Sequence, residues 1–163
     1  MSDDNLLIDA TTKIFEDLCD PQNINVAKDG SWKQLLWNAL EESGLTSAWV
    51  PEEFGGAGAS ISDGFSIIEV AGKFAVPIAL PETLLGGWLL SNANINIPKG
   101  VMAVAPTRPR DKLTIHSNGT LSGHVRGVPF ASEADHIVAA IEDAGSTKVA
   151  LVAKSNCKIK PFS

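Results

Sequence analysis

Three groups of residues have the types and spacing to do chemistry. The first is PEEFGGAGASISD, Pro51 to Asp63, which sets three glycines between acidic residues ahead of a run with helical spacing. A dinucleotide fingerprint needs G-x-G-x-x-G between a strand and a helix, and a P-loop needs Lys-Ser or Lys-Thr after its last glycine. Gly56-Ala57-Gly58-Ala59-Ser60-Ile61 fails at the third glycine, and no lysine follows. The sequence therefore predicts a tight turn and a helix lead-in capped by Ser60 or Ser62. The second group is Glu52-Glu53, a possible acid and base. Adjacent carboxylates before a glycine turn are expected instead to face solvent or to favour a helix start. The third is His116, His124 and His136, which could face one side of neighbouring strands. Cys19 and Cys157 are remote and no carboxylate is spaced to complete a metal set, so surface or interface histidines are expected. No nucleophile elbow, HExxH or CxxC occurs.

The elements that must carry these residues change character near Pro98, which predicts domains over residues 1–98 and 99–163. Before Pro98 apolar residues recur at helical spacing. Leu6, Leu7, Ala10, Ile14 and Leu18 form one stripe, with Asp9, Lys13 and Asp17 opposite. After the polar link QNINVAKDG, Ser31 can cap a second helix with Leu35, Leu36, Ala39 and Leu40 inward, closed by Gly44. A third helix runs from about Ser62 to Ala75 with Phe65, Ile68 and Gly72 inward. A fourth opens at Pro81 and carries Leu84, Leu85, Trp88 and Leu89. The four tryptophans read as core or domain-contact aromatics.

Beyond Gly100, short β-branched runs predict strands at 101–105, 113–116, 121–125, 136–141 and 148–152, with a further one around Ile159. Asn118-Gly119 predicts a type I′ hairpin between the second and third. The fold class expected is α+β, a four-helix cluster followed by an incomplete antiparallel β domain. Its open edges call for a partner surface or more chain.

Composition excludes several functions. A 163-residue chain that is 44% hydrophobic and 20% charged reads as globular, and its net charge of -6 with Lys and Arg scattered gives no footprint for nucleic acid or anionic membrane. Two distant cysteines and no secretory leader predict a reduced, cytoplasmic setting. No apolar run is long enough to span a bilayer.

One stretch carries a resemblance. LLWNALEESGLTSAWVPEEFGGAGASISDGFSIIEVAGKFAVPIAL is similar to the N-terminal helical domain of the acyl-CoA dehydrogenases, through Trp37, Gly44, Pro51, Glu52, Glu53, Gly55, Gly56, Gly58, Asp63, Glu69 and Gly72 in collinear order. Leu121-Ser122-Gly123 and Ala134-Asp135 before His136-Ile137-Val138 resemble the family's middle β domain. The resemblance implies α,β-dehydrogenation of an acyl-CoA thioester, in lipid degradation, with FAD as hydride acceptor and an electron-transfer flavoprotein downstream. It also implies an oligomer, homomeric or heteromeric, of such subunits. It places cofactor contacts at Met102, Val104, Ala105, Gly127, Val128 and Pro129. The catalytic glutamate belongs to a C-terminal bundle that lies beyond this sequence, so no catalytic residue is assigned to Glu52, Glu53 or Glu69, and the chain alone is expected to be inactive.

Departures from the family pattern give a second expectation. Where the family has A-L-T-E-P, this chain has Val104-Ala105-Pro106, so Ala105 replaces a flavin-bonding threonine. Where it has W-I-T, Gly127-Val128-Pro129 offers neither indole nor hydroxyl, and Pro129 lacks an N–H. Similar loss marks short, divergent members that pair with a flavin-holding subunit in sterol side-chain breakdown. A non-catalytic partner subunit is thus the alternative to a flavoprotein.

Overall fold

Five helices precede five strands in the computed structural model, which describes residues 3–26, 30–108 and 110–161. Packing divides them into two units, one ending at Leu80 and the other beginning at Pro81.

The first unit contains α1 (Asp3–Leu18), α2 (Pro21–Val26), α3 (Ser31–Glu42) and α4 (Ile61–Phe74), with α1 packed on both α3 and α4. Its core takes Thr11, Phe15 and Cys19 from the α1 side, Leu36, Trp37 and Leu40 from α3, and Ile67, Val70 and Ala71 from α4. The Phe15 and Phe74 rings stack with centroids 5.4 Å apart. α1, α3 and α4 stand where the sequence predicts, while α2 is a helix where it reads a polar link, and each predicted buried stripe is displaced by about one residue. One residue is about 100° of rotation. Leu6 and Ala10 are exposed, while Thr11 is fully buried because its hydroxyl donates to the Leu7 carbonyl at 2.7 Å, leaving its methyl side to pack. Leu35 and Phe65 also face out, and Gly72 is exposed.

Helix ends follow the expected chemistry with one exchange. Gly30, in the left-handed region at φ 76°, occupies the N-cap of α3, and Ser31 is its first helical residue. Gly44 follows α3 at φ 71° and its N–H bonds the Glu41 carbonyl. The predicted link QNINVAKDG overlaps α2, which begins one residue before it at Pro21; residues 27–29 of the link lie outside the described residues.

The second unit packs α5 (Leu80–Asn92) onto a sheet of β1 (Met102–Ala105), β4 (His136–Asp143) and β5 (Ser146–Ala153), ordered β1-β4-β5. β4 and β5 are antiparallel, but β1 and β4 are parallel, with Met102 opposite His136. The sheet is therefore mixed, because β1 reaches β4 by a crossover and not by a hairpin. A separate antiparallel hairpin joins β2 (Lys112–Ile115) to β3 (Leu121–His124). Alternation along the strands builds two apolar layers. Met102 and Val138 meet Leu90 of α5, while Ala105, Ala139 and Ile141 meet Leu113, Ile115, Leu121 and Val128 from the hairpin and the loop after it. α5 crosses closely at Gly86, where an added Cβ would stand 3.3 Å from Met102 and Val138. Consequently α5 packs with the sheet, although the change from helical to extended backbone comes later, near Pro98.

The turns correct the sequence reading. Gly119 is left-handed at φ 79° but Asn118 is not, so the hairpin closes by a turn from His116 to Gly119 with a single left-handed residue. The turn with two left-handed residues is Ala144-Gly145, φ 50° and 81°, between β4 and β5. Residues around Ile159 form no strand. Among the described residues no helix is long and apolar enough to cross a membrane.

Candidate functional site

The glycine loop fails as an anion cradle for a reason visible in its amides. A phosphate-binding nest needs free backbone N–H groups. Here Phe54 donates to Pro51, Gly55 to Glu52, Gly56 to Pro51, Ala57 to Ser47, Gly58 to Val50 and Ala59 to Ala48, all between 2.8 and 3.2 Å. Every amide from 54 to 59 is committed to another carbonyl. Gly55 and Gly58 supply left-handed φ values of 82° and 62°, and Gly56 supplies space, since a Cβ there would overlap the Val50 backbone. Ser60 then closes a capping box: its hydroxyl accepts from Asp63 N–H, and the Asp63 carboxylate accepts from Ser60 N–H. Trp49 braces the loop from behind by donating its indole N–H to the Ile61 carbonyl at 3.2 Å. Its ring lies against Gly64, where any Cβ would overlap it. Gly64 escaped the sequence reading because a glycine inside a helical run carries no local signal of what crosses it.

Glu52 and Glu53 are exposed, and Glu69 pairs with Lys73 one helical turn on at 3.4 Å, so each faces solvent. The histidines do not converge. His116 Nε2 lies 2.7 Å from Ser122 Oγ, His124 is exposed, and His136 is half-buried at the start of β4. Among the described residues no three His, Cys, Asp or Glu groups are placed to hold a metal. Cys19 is buried and its thiol is pushed up to about 11 by desolvation, which makes it a poor nucleophile.

The six residues implied as flavin contacts fall on β1 and the loop after β3. Met102 is 2% exposed and lies in the layer beneath α5. Its N–H donates to Thr83 Oγ1 at 3.0 Å, and its carbonyl accepts from the same hydroxyl at 3.3 Å. Both backbone groups at that edge of β1 are thus closed by one buried threonine. Val104 is half-buried in the same layer, and strand alternation aims its N–H and carbonyl to the same edge as those of Met102. Ala105 is buried among Ala139, Ile141 and Val128, in the layer shared with the hairpin. Gly127 is left-handed at φ 65°, and the Arg108 guanidinium lies over it: an added Cβ would stand 2.9 Å from Nη2. Val128 is half-buried and Pro129 exposed. Flavin recognition calls for donors aimed at the pyrimidine edge and a flat wall beside the ring. At these six positions the chain supplies no side-chain donor, and the Arg108 guanidinium lies beside Gly127.

Residues missed by sequence reading hold this region together. Asp111, whose side chain is only 3% exposed, accepts hydrogen bonds from the Arg126 backbone N–H at 3.0 Å and Nε at 2.8 Å and forms an ion pair with its Nη2 at 2.8 Å. The backbone N–H first, and then the guanidinium, hold its carboxyl below the usual carboxylate range. Asp135 accepts the Val101 N–H at 2.9 Å, fixing the entry to β1. The signal for the first pair was a carboxylate and an arginine flanking an Asn-Gly hairpin. Thr83 had none.

Comparison with known proteins adds the following. The model of the acyl-CoA dehydrogenase N-terminal domain matches residues 1–93. The acyl-CoA dehydrogenase IpdE2 of Mycolicibacterium smegmatis is 33% identical over 83 residues, covering 49% of this chain and 27% of that protein. A variant of the Tcur3481-Tcur3483 steroid ACAD is similar with a TM-score of 0.75 at 20% identity, over 92% of this chain and 47% of that one. The ChsE4-ChsE5 complex from Mycobacterium tuberculosis gives 0.75 at 18% identity, over 94% and 48%. A dibenzothiophene monooxygenase from Paenibacillus gives 0.57 at 13%. The chain spans about a quarter of the curated relative and about half of these solved chains. The structural likenesses show the shared fold.

Proposed function

The chain belongs to the acyl-CoA dehydrogenase family, and from that premise we propose that it is a non-catalytic portion or subunit of a heteromeric acyl-CoA dehydrogenase, leaving the flavin to another polypeptide. The observation that carries this reading is the Arg108 guanidinium lying over Gly127, the position at which the family resemblance would put the flat apolar neighbour of a flavin ring. Thr83 supports it by occupying both backbone groups of Met102. Solved relatives of the same fold are named as pairs, ChsE4-ChsE5 and Tcur3481-Tcur3483, which agrees with a subunit role. On this reading the division near Pro98 separates the family's helical and middle domains. The thioester dehydrogenation, and any hand-over to an electron-transfer flavoprotein, belong to the assembled complex.

Flavin retention tests the reading. The purified chain is mixed with excess FAD, passed through gel filtration, and its visible absorbance recorded. Each missing hydrogen bond is worth about 0.5–1.5 kcal/mol net. Two of them and a lost stacking wall weaken binding by roughly two to three decades, so the protein should elute colourless. One flavin per chain would overturn the proposal and restore the flavoprotein reading, with Val104 and Val128 as working contacts.

A further inference from the structure

The Asn118-Gly119 turn sets an electrophile next to an unhindered nucleophile. Nine asparagines occur in the sequence, followed in eight cases by Leu, Ile, Val, Ala or Cys and in one, Asn118, by glycine. A side-chain carboxamide can be attacked by the backbone nitrogen of the next residue, and any side chain on that residue crowds the approach. Gly119 has none, and open space surrounds the place where a Cβ would stand. Asn118 is therefore the asparagine most open to attack by its own neighbour.

The structure holds that electrophile in place at the exposed tip formed by residues 116–120. Asn118 Oδ1 accepts the Thr120 N–H at 3.1 Å and the Thr120 hydroxyl at 2.7 Å. The carboxamide thus bends forward past the Gly119 amide to reach Thr120. Both donors meet the oxygen on which negative charge grows when Cγ is attacked, and donors so placed stabilise the tetrahedral intermediate of acyl transfer. The nucleophile is tied more loosely. Gly119 N–H donates to the His116 carbonyl at 2.9 Å, at the tip of a two-stranded hairpin, and exposed tips of this kind open locally at low cost. Opening that one bond frees the nitrogen, and the two bonds to Thr120 do not depend on it.

We propose that Asn118 is a site of spontaneous deamidation, with the Thr120 donors promoting the step. The Gly119 nitrogen gives its proton to solvent base and forms a bond to Asn118 Cγ. The carboxamide nitrogen takes a proton and leaves as ammonia, closing a succinimide. Water then opens that ring at either carbonyl, giving aspartate or isoaspartate. Water enters, ammonia leaves, and nothing is oxidised or reduced. Aspartate keeps the acceptor that Thr120 uses and adds one negative charge. Isoaspartate routes the chain through Cγ and lengthens the backbone, which breaks the register that the His116 N–H keeps with the Thr120 carbonyl at 2.8 Å. Leu113, Ile115 and Leu121 then lose their alignment over Ala105, Ala139 and Ile141. The hairpin thereby carries a slow, one-way change that is independent of whether the chain holds flavin.

The test incubates the full chain at neutral and mildly alkaline pH, in buffer and in unfolding guanidinium chloride, and follows it over weeks by peptide mass mapping and isoaspartate-specific enzymatic methylation. In the folded chain the peptide containing Asn118 should exchange NH for O ahead of every other asparagine, faster as pH rises, with ammonia released in step. Thr120→Val keeps the side-chain shape and removes one donor to Oδ1. It should slow the reaction about threefold or more in buffer and leave the rate in guanidinium unchanged. Asn118→Gln, whose longer side chain disfavours ring closure, should abolish the product at this position. An Asn118 that stays intact in the folded chain overturns the proposal, because the fold then protects the turn. So does another asparagine reacting first, or a folded Thr120→Val chain that reacts as fast in buffer as the native one. Circular dichroism checks the folding of Thr120→Val; if it does not fold, the order of reaction among the asparagines of the native chain decides.

Discussion

Replacing Thr83 with valine removes one oxygen and keeps the shape of the side chain. That oxygen accepts the Met102 N–H and donates to the Met102 carbonyl, inside a region where Thr83 and Met102 are each 2% exposed. Valine therefore leaves a donor and an acceptor buried without partners at the edge of β1. An unsatisfied buried polar group costs about 1–3 kcal/mol, so the pair costs about 2–6 kcal/mol. The lower end applies if water reaches the strand edge. Urea unfolding followed by tryptophan fluorescence reads this through Trp88 on the same helix, with the midpoint falling and the m-value unchanged. Thr83→Ser keeps the hydroxyl and drops a methyl, and should cost only about 1 kcal/mol. A loss under about 0.5 kcal/mol for valine, or equal losses for the two variants, would refute the claim that one hydroxyl closes this edge.

The other substitutions probe the glycine loop and the hairpin clamp. Gly56→Val drives a Cβ into the Val50 backbone, so it should destabilise the chain by about 1–3 kcal/mol or more in the same assay. A native-like melting curve would refute the packing role, and tight phosphate binding at that loop would refute the amide accounting. Asp111 has a folded-state pKa below its usual 3.8, so its stabilising contribution is present above that usual value and is lost as pH falls through the lowered one. Asp111→Asn should flatten the acid limb of the stability profile below about pH 4; a limb as steep as the native one would show that Arg126 does not act through this carboxylate.

Local chemistry made part of this fold legible. Ser60 with Asp63, Gly44 after α3 and Pro81 in the first turn of α5 are signals that need only neighbouring residues. The buried faces were harder, because Thr11 hides its polarity in a bond to its own helix and Phe65 spends its ring on an exposed edge contact with Trp49. The parallel pairing of β1 with β4 was not legible, since Met102 meets a residue on the far side of a whole hairpin. At the candidate site, family resemblance pointed to Met102 to Ala105 and Gly127 to Pro129 as the positions to compare. It could not show Arg108 over Gly127 or Thr83 at Met102, since both depend on contacts distant in sequence.

That crossover has a consequence for synthesis on the ribosome. When Ile115 emerges, α5 and β1 are already outside, but the strand that pairs with β1 is not. The hairpin can zip as soon as Leu121 to His124 appear, whereas Met102 and Leu90 must wait for Val138 to cover them. At about 5–20 residues per second that wait is on the order of seconds, far longer than the microseconds in which a hairpin forms. During it the apolar underside of α5 stands open to any holdase within reach. Substitutions that slow translation between β3 and β4 would lengthen that exposure without altering the finished protein at all.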